Sequence, residues 1–249
     1  MAKKDKSTVE IESGIRTAKA FDPNSWTPKT DLGRRVKSGE IKNIDEILDK
    51  GIRIMEPEIV DALLPGLESD LLAIGQSKGK FGGGKRSIWK TTQKKSMEGN
   101  KPSFSTMAVV GNKDGYIGIG MGKAKETMPA REKAIRRAKL NVAKIKRGCG
   151  AWACGCGEAH SIPFAVEGKC GSVIVKIMPA PKGTNLVISK QCQKVLALAG
   201  LKDVYSKNKG LPVTRVNLIK ACFEALKRLS KVKVKADLAR RVGLGARNE

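Results

Sequence analysis

Aromatic side chains are scarce in this chain: three Trp, two Tyr and five Phe among 249 residues. So few rings argue against a sequence-reading surface built from base-stacking platforms and favour recognition of backbone and shape. Long apolar runs are absent too. No window approaches the eighteen or more apolar residues of a membrane-spanning helix. The opening Met-Ala-Lys-Lys-Asp-Lys-Ser has no apolar stretch behind it to form a signal peptide, so a cytosolic protein is the default expectation. Histidine occurs once, at His160, and no pair of groups suggests general acid–base chemistry.

Positive charge is what the chain has in excess, with 49 Lys and Arg against 24 Asp and Glu. The excess is unevenly placed. Residues 1–76 hold 12 basic and 14 acidic side chains, a net of −2, whereas residues 77–249 hold 37 and 10, a net of +27. A charged helix face is usually just solvated, but charge this one-sided would repel itself in a free globule, and a polyanion partner is expected.

The most informative segment is 109–147, where a glycine-rich hairpin runs into a helix loaded with Lys and Arg. Gly115 after Asp114 signals a turn, so 107–112 and 116–120 are expected to pair as antiparallel strands. Gly118, Gly120 and Gly122 leave one sheet face bare, which admits either a closely packed backbone or a flat ligand such as a nucleotide. The following helix, expected over 125–144, turns Ala130, Ala134, Ile135, Ala138 and Val142 to one side. Lys123 and Lys125 fall at its start, where amides face phosphate, and Arg131, Arg136 and Lys139 are left for solvent or RNA.

Upstream, residues 1–25 read as a mobile arm, and 31–38, 44–50 and 57–64 as short helices that wrap a neighbour or the domain behind them. An apolar strand at 71–74 gives way to the Gly-rich stretch 79–86 and a long positive loop before a strand at 104–110. Lys85, Arg86, Lys90, Lys94, Lys95 and Lys101 recur through that loop while Glu98 is its only acid, so RNA contact is expected there. Strand, loop, strand, turn, strand, basic helix is the order of a small α+β domain similar to the double-stranded-RNA-binding module.

Beyond Arg147 the pattern predicts strands at 162–166 and 173–178, a helix over 189–199 stopping at Gly200, a strand at 203–206 and a last helix from about Thr214. The fold class is therefore α+β in two domains, the second a β-sheet with two helices on one face. Extensions flank them: 1–66, then domains at 67–147 and 148–230, then a basic tail at 231–249 without a fixed apolar face.

Glycine clusters before a lysine raise the question of nucleotide binding. The phosphate-loop pattern fails, because Ile117 stands at its first glycine position and Ala124 at its hydroxyl position. The dinucleotide fingerprint fails at Lys123, where its third glycine belongs. A Cys–His nucleophile pair explains fewer residues than a metal does. Cys149, Cys154, Cys156 and His160 form Cys-x4-Cys-x-Cys-x3-His, a Cys3His set suited to a closed tetrahedral structural zinc, with Gly148, Gly150, Gly155 and Gly157 allowing tight turns around it. A cytosolic disulfide is disfavoured, and Cys154 and Cys156 are too close for a relaxed one. Cys170, Cys192 and Cys222 lie singly on apolar patterns and read as buried thiols.

With these residues in view, the chain resembles the small-subunit ribosomal protein five family in its archaeal form. The resemblance runs from about Trp26 to Leu229. It rests on Gly111 to Lys125, Arg147-Gly-Cys-Gly-Ala-Trp, Gly168-Lys-Cys-Gly-Ser-Val, Pro179-Ala-Pro-Lys-Gly and Leu198-Ala-Gly-Leu-Lys-Asp-Val. Trp26-Thr-Pro-Lys-Thr-Asp-Leu-Gly, with Arg34-Arg35-Val-Lys behind it, looks like the N-terminal extension of archaeal and eukaryotic members. The resemblance implies no enzymatic activity and a place in the body of the small subunit. There the family lies near the central pseudoknot and the neck, touches ribosomal proteins four and eight, lines the messenger RNA entry path and influences decoding accuracy. RNA contacts are expected from the loop residues above, from Lys113 and Tyr116 in the hairpin, from the helix residues and from Arg147. In the loop the chain departs from its relatives: Gly99-Asn100-Lys101 stands where a glycine followed by a basic pair is common. The rival reading is a free RNA-binding chaperone or processing factor.

Overall fold

The computed structural model describes residues 16–17, 26–77, 79 and 86–243. The three short helices expected near the N-terminus are present as α1 (Asp31–Lys37), α2 (Ile44–Asp49) and α3 (Pro57–Leu63). The Thr30 hydroxyl oxygen accepts from the Gly33 amide at 3.1 Å and caps α1, while Pro57 opens α3, where its missing N–H costs nothing. Trp26, Ile47, Ile59 and Val60 are buried in a core that this extension shares with the first domain.

Glu56 ties the extension down. Its carboxylate accepts from Trp26 Nε1 at 3.1 Å and from the backbone amides of Lys29 and Thr30 at 2.9 and 2.6 Å. Burial alone raises its pKa, but the hydrogen bonds from Thr30, Lys29 and Trp26 outweigh it and hold the group below its ordinary value.

The first sheet comprises β1 (Arg16–Thr17), β2 (Glu68–Leu72), β3 (Lys90–Ser96), β4 (Gly99–Gly111), β5 (Tyr116–Ala124) and β6 (Val142–Lys144). Its order is β1-β2-β4-β5-β6, with β3 also paired to β4. Thus Arg16 and Thr17, expected in a mobile arm, pair with Ser69 and Glu68; the rest of 1–25 lies outside the described residues. The expected strand at 71–74 begins earlier, at Glu68, and ends at Leu72.

The positive loop is largely a hairpin. Residues Lys90–Ser96 pair residue for residue with Gly99–Ser105, turning at Met97 and Glu98, and Gly99, which opens the return strand, has φ +107°. A Thr92–Ser103 hydroxyl contact of 2.8 Å joins the strands. The arm escaped the sequence pattern because it projects past the core: β3 is exposed along nearly its whole length, so no alternation of apolar and polar residues marks it.

α4 (Thr127–Leu140) crosses the sheet. A Cβ on Gly118, Gly120 or Gly122 would come within 2.2, 2.2 or 2.1 Å of α4 backbone atoms of Ala138 or Ala130. Of the two readings of the bare face, close backbone packing is the one realised. The helix expected over 125–144 is shorter at both ends. Asn141 leaves it and donates from Nδ2 to the Ile119 carbonyl at 3.1 Å, and Val142, β-branched and suited to a strand, pairs with Gly118 instead of continuing the helix.

The second sheet runs β7-β8-β10-β9, from β7 (Val166–Cys170), β8 (Val173–Pro179), β9 (Leu186–Val187) and β10 (Val204–Lys209). The strand expected at 162–166 starts where it was expected to end. Gly168 explains the shift: it lies inward, where a Cβ would meet the Ala221 carbonyl oxygen at 2.1 Å, so a helix can press directly on this strand. That helix is α6 (Arg215–Lys231), and α5 (Lys190–Leu198) packs beside it, as two helices on one face require. The basic tail, expected to have no fixed apolar face, contains α7 (Ala236–Val242), whose final carbonyl, that of Val242, accepts from the Cys149 amide at 2.8 Å. Residues 244–249 lie outside the described residues.

One core spans both domains. Met107, Val109, Ile117 and Ile119 of the first sheet join Val175, Leu196, Ile219 and Leu226 of the second domain. Each such side chain contributes about 1.5–3 kcal/mol on burial. The α5 end completes the joint: the amides of Lys113 and Gly115 donate to the carbonyls of Leu198 and Ala199 at 2.9 and 3.1 Å.

Because the Glu56 pKa is depressed on folding, its stabilisation is present above the ordinary value of 4.5 and is lost as pH falls through the folded value. Hydrogen exchange over residues 26–37 should therefore speed up on acidification below that range. Glu56→Gln should remove the dependence and leave the segment less protected at neutral pH, by about 1–2 kcal/mol.

Candidate nucleic-acid interface and metal cluster

The residues expected to meet RNA divide into two groups. Lys90, Lys94, Lys95 and Lys101 stand exposed along the β3–β4 arm, which carries the fully exposed Met97 at its tip. Lys101 also pairs with Glu98 at 2.6 Å, both well exposed, a contact worth little in water. Lys123 and Lys125 are exposed ahead of α4, and Arg136 on it, while Arg131 and Arg86 are half-buried. Lys85 lies outside the described residues. Lys133 and Arg137 are exposed on the same helix, Arg137 also donating to the Met121 carbonyl at 2.8 Å; their helical spacing from the buried alanines was the signal that could have found them.

The second group has partners within the protein, Lys113 at the surface and the others half-buried or buried. Lys139, expected to face solvent or RNA, pairs with Asp61 at 2.6 Å with both side chains largely buried. Lys113 pairs with Glu68 at 2.6 Å, and the Tyr116 hydroxyl donates to Asp45 Oδ1 at 2.6 Å. The Arg147 side chain is only 7% exposed; its guanidinium bonds the Lys113 carbonyl at 3.1 Å and pairs with Asp114. The acids that claim these residues come from distant parts of the chain, so spacing could not reveal them.

Cys149, Cys154, Cys156 and His160 do come together: their ligand atoms all lie within 4.8 Å of one another. The loop is set by backbone contacts. Gly148 pairs with Ser161, and the Gly150 amide donates to the Ile162 carbonyl at 3.2 Å. A Cβ on Gly150 would lie 1.9 Å from the Pro163 carbonyl oxygen. His160 is aimed by a residue that sequence reasoning missed. Its Nδ1 faces Asp203 Oδ2 at 2.9 Å, so the carboxylate fixes the proton on Nδ1 and turns Nε2 toward the sulfurs, 3.9 Å from Cys154 Sγ. Asp203 is itself held, accepting from the Asn185 amide at 2.8 Å, while its carbonyl accepts from the Ser161 hydroxyl at 2.5 Å.

The sulfurs differ in character. Backbone amides of Lys182 and Cys156 bring the Cys154 thiol down to about 6, whereas burial pushes Cys149 up to about 11. Three soft sulfur donors, one oriented imidazole and no carboxylate in the set fit zinc.

Two segments of the chain match two family models. Residues 88–146 match "Ribosomal protein S5, N-terminal domain", and residues 168–241 match "Ribosomal protein S5, C-terminal domain". The chain belongs to the ribosomal protein S5 family. It is 51% identical over 209 residues to "Small ribosomal subunit protein uS5" of Nanoarchaeum equitans, covering 84% of this chain and 90% of that one. Proteins of the same name from Methanocaldococcus jannaschii and Thermofilum pendens are 48% and 47% identical, covering 84% and 82% of this chain and 90% and 93% of theirs. This S5 chain is thus of archaeal type and of a structural, non-enzymatic family of the ribosome. No described helix is long and apolar enough to cross a membrane.

The division into free and committed cations can be tested on two arginines. Arg147→Ala should lower thermal stability by about 2 kcal/mol, because it removes a buried side chain together with its bonds to the Lys113 carbonyl and Asp114. Arg136→Ala should leave melting unchanged and weaken RNA binding; equal melting losses from both would erase the distinction.

Proposed function

We propose that this chain is a structural constituent of the small ribosomal subunit that binds ribosomal RNA through the β3–β4 arm and the start of α4. The carrying observation is the arm itself: Lys90, Lys94, Lys95 and Lys101 on a two-stranded ribbon with almost no buried side chain of its own. A ribbon that adds so little to the core and carries so much charge is explained by a polyanion outside it. Arg136 and Lys133 extend the same charge along α4. Residues 67–147 and 148–230 serve as the two working units. The family resemblance supports a seat near the central pseudoknot and the neck, beside ribosomal proteins four and eight, where the arm borders the messenger RNA entry path and affects decoding accuracy. A free RNA chaperone would leave small subunits in a high-salt gradient, whereas a constituent stays with them.

Cys149, Cys154, Cys156 and His160 are read as the ligands of one structural zinc ion, with Asp203 orienting His160. Bound zinc supplies cross-linking and neutralises thiolate charge. The chain's own residues prepare the site: Lys182 and Cys156 amides favour the Cys154 thiolate, and the Asp203 carboxylate holds the imidazole in one tautomer. With four protein ligands no position is left open for a reacting water.

Replacing Lys94, Lys95 and Lys101 with alanine should hardly shift melting. It should lower affinity for a structured small-subunit RNA fragment and flatten the log–log salt slope by roughly 2.7, at about 0.9 for each duplex phosphate no longer neutralised. Miscoding or the yield of mature subunits should change with it. Unfolding of the variant, with normal decoding by assembled ribosomes, would count against the reading.

Purified protein should contain about one zinc per chain. Cys154→Ser should lose the metal together with protease resistance over 148–160, and Asp203→Asn should weaken zinc binding by about 10- to 100-fold. Metal-free protein with that segment fully protected would rule the ion out.

A further inference from the structure

Among the described residues, one face of the second sheet is uncovered. Strand alternation turns Val175, Ile177 and Val204 inward onto α5 and α6, all three fully buried. The alternate residues point the other way, and the pairing register sets them in rows. Lys207 stands directly opposite Lys176, whose other neighbour, Glu167, approaches it at 3.5 Å. In the next row Ile174 lies between Lys209 and Lys169. At the far end Tyr205, 39% exposed, lies between Met178 and the half-exposed Val187.

Like charges placed opposite each other on adjacent strands destabilise a sheet. Here two lysines are so placed and two more flank them, with one glutamate in reach. Nothing in the second core requires them, since every residue of these rows points away from it. The arrangement makes sense when phosphates lie between the ammonium groups. The ring beside them adds a flat apolar surface on which an unpaired base can stack, as bases do on other four-stranded sheets. A duplex keeps its bases inside and would leave that ring unused.

We propose that this face holds a single-stranded segment of ribosomal RNA, with phosphates on Lys169, Lys176, Lys207 and Lys209 and one base stacked on Tyr205. The inference deepens the RNA-binding reading by giving the second domain its own contact surface, separate from the β3–β4 arm. One ring among four lysines tracks a strand and does not read its sequence.

The test uses the full-length chain and an unstructured oligouridylate. Tyr205→Ala should weaken binding by at least about fivefold, while Tyr205→Phe retains it. Lys176→Gln with Lys207→Gln should weaken binding and flatten the log–log salt slope by about 1.4. Melting should be unchanged in each. Ultraviolet cross-linking in assembled small subunits should join ribosomal RNA to the β8–β10 peptides. Unchanged oligouridylate affinity in these variants, alongside a normal response of the Lys94, Lys95 and Lys101 variant on structured RNA, overturns the proposal and leaves the arm's role intact. Loss of the arm's response as well would sink the RNA reading as a whole. Cross-links from Lys207 to a neighbouring protein in place of RNA would assign the face to a protein contact and overturn the proposal.

Discussion

The C-terminal end of α5 has carbonyls with no donor left inside the helix, and both domains are organised around supplying them. The donors are amides of the β4–β5 turn, Lys113 and Gly115. To present them, Lys113 takes φ +59° and Gly115 φ +89°, and Gly200 must lack a side chain because a Cβ there would lie 2.0 Å from the Lys113 carbonyl oxygen. Arg147 then closes the joint from below, binding that same carbonyl and Asp114. A turn from one domain that caps a helix of the other fixes their relative orientation, and the shared apolar core seals it. The β3–β4 arm, the Cys3His loop and the second sheet's open face are thereby held at set positions on one body.

The uneven charge of the sequence acquires a structural meaning here. Acids from the first 76 residues reach forward to the basic half: Asp45 to Lys144, Asp61 to Lys139, Glu68 to Lys113 and Asp70 to Lys194. Pairs that stay open to solvent contribute about 0–1 kcal/mol each, so their stabilisation is modest. Their larger effect is selection. They remove particular cations from the surface and leave those of the arm, the outer side of α4 and the second sheet's face unpaired by the extension. An extension that both covers one side of the sheet and neutralises the lysines beneath it decides which charges remain for a polyanion.

Much of this was legible in the sequence, and the failures have physical causes. The glycine hairpin, the short N-terminal helices and the helices of the second domain carry strong local signals: Gly115 at a turn, Pro57 in a first turn, apolar residues at helical spacing before Gly200. The β3–β4 arm carries none, since a ribbon exposed on both faces has no apolar alternation. The beginning of β7 was misplaced because its decisive residue, Gly168, reports the approach of a helix fifty-odd residues downstream. The cluster of three cysteines and one histidine was visible as a spacing, whereas Asp203, which aims His160 from 43 positions away, was not. Tyr116, Lys139 and Arg147 turned out to be bonded within the protein, which sequence could not show because it displays a side chain's charge and not its partner.

The Cys3His loop bears on the same problem of holding extensions in place. Between Gly150 and Glu158 no side chain is buried, so packing cannot specify this stretch. Around it meet segments that leave the regular fold: the Val242 carbonyl at the end of α7 on the Cys149 amide, the turn carrying Lys182 on Cys154, and the start of β10 through Asp203 on His160. Each contributes only one or two hydrogen bonds, too few to order a loop against its conformational entropy. A metal held by all four residues, as proposed, would convert these separate weak tethers into one cross-link. It would close the loop from Cys149 to His160 and, through the contacts just named, anchor the C-terminal helix to the junction between the domains. The place open to such an ion is thus mechanical: it would stand in for the apolar core that a glycine-rich segment cannot supply.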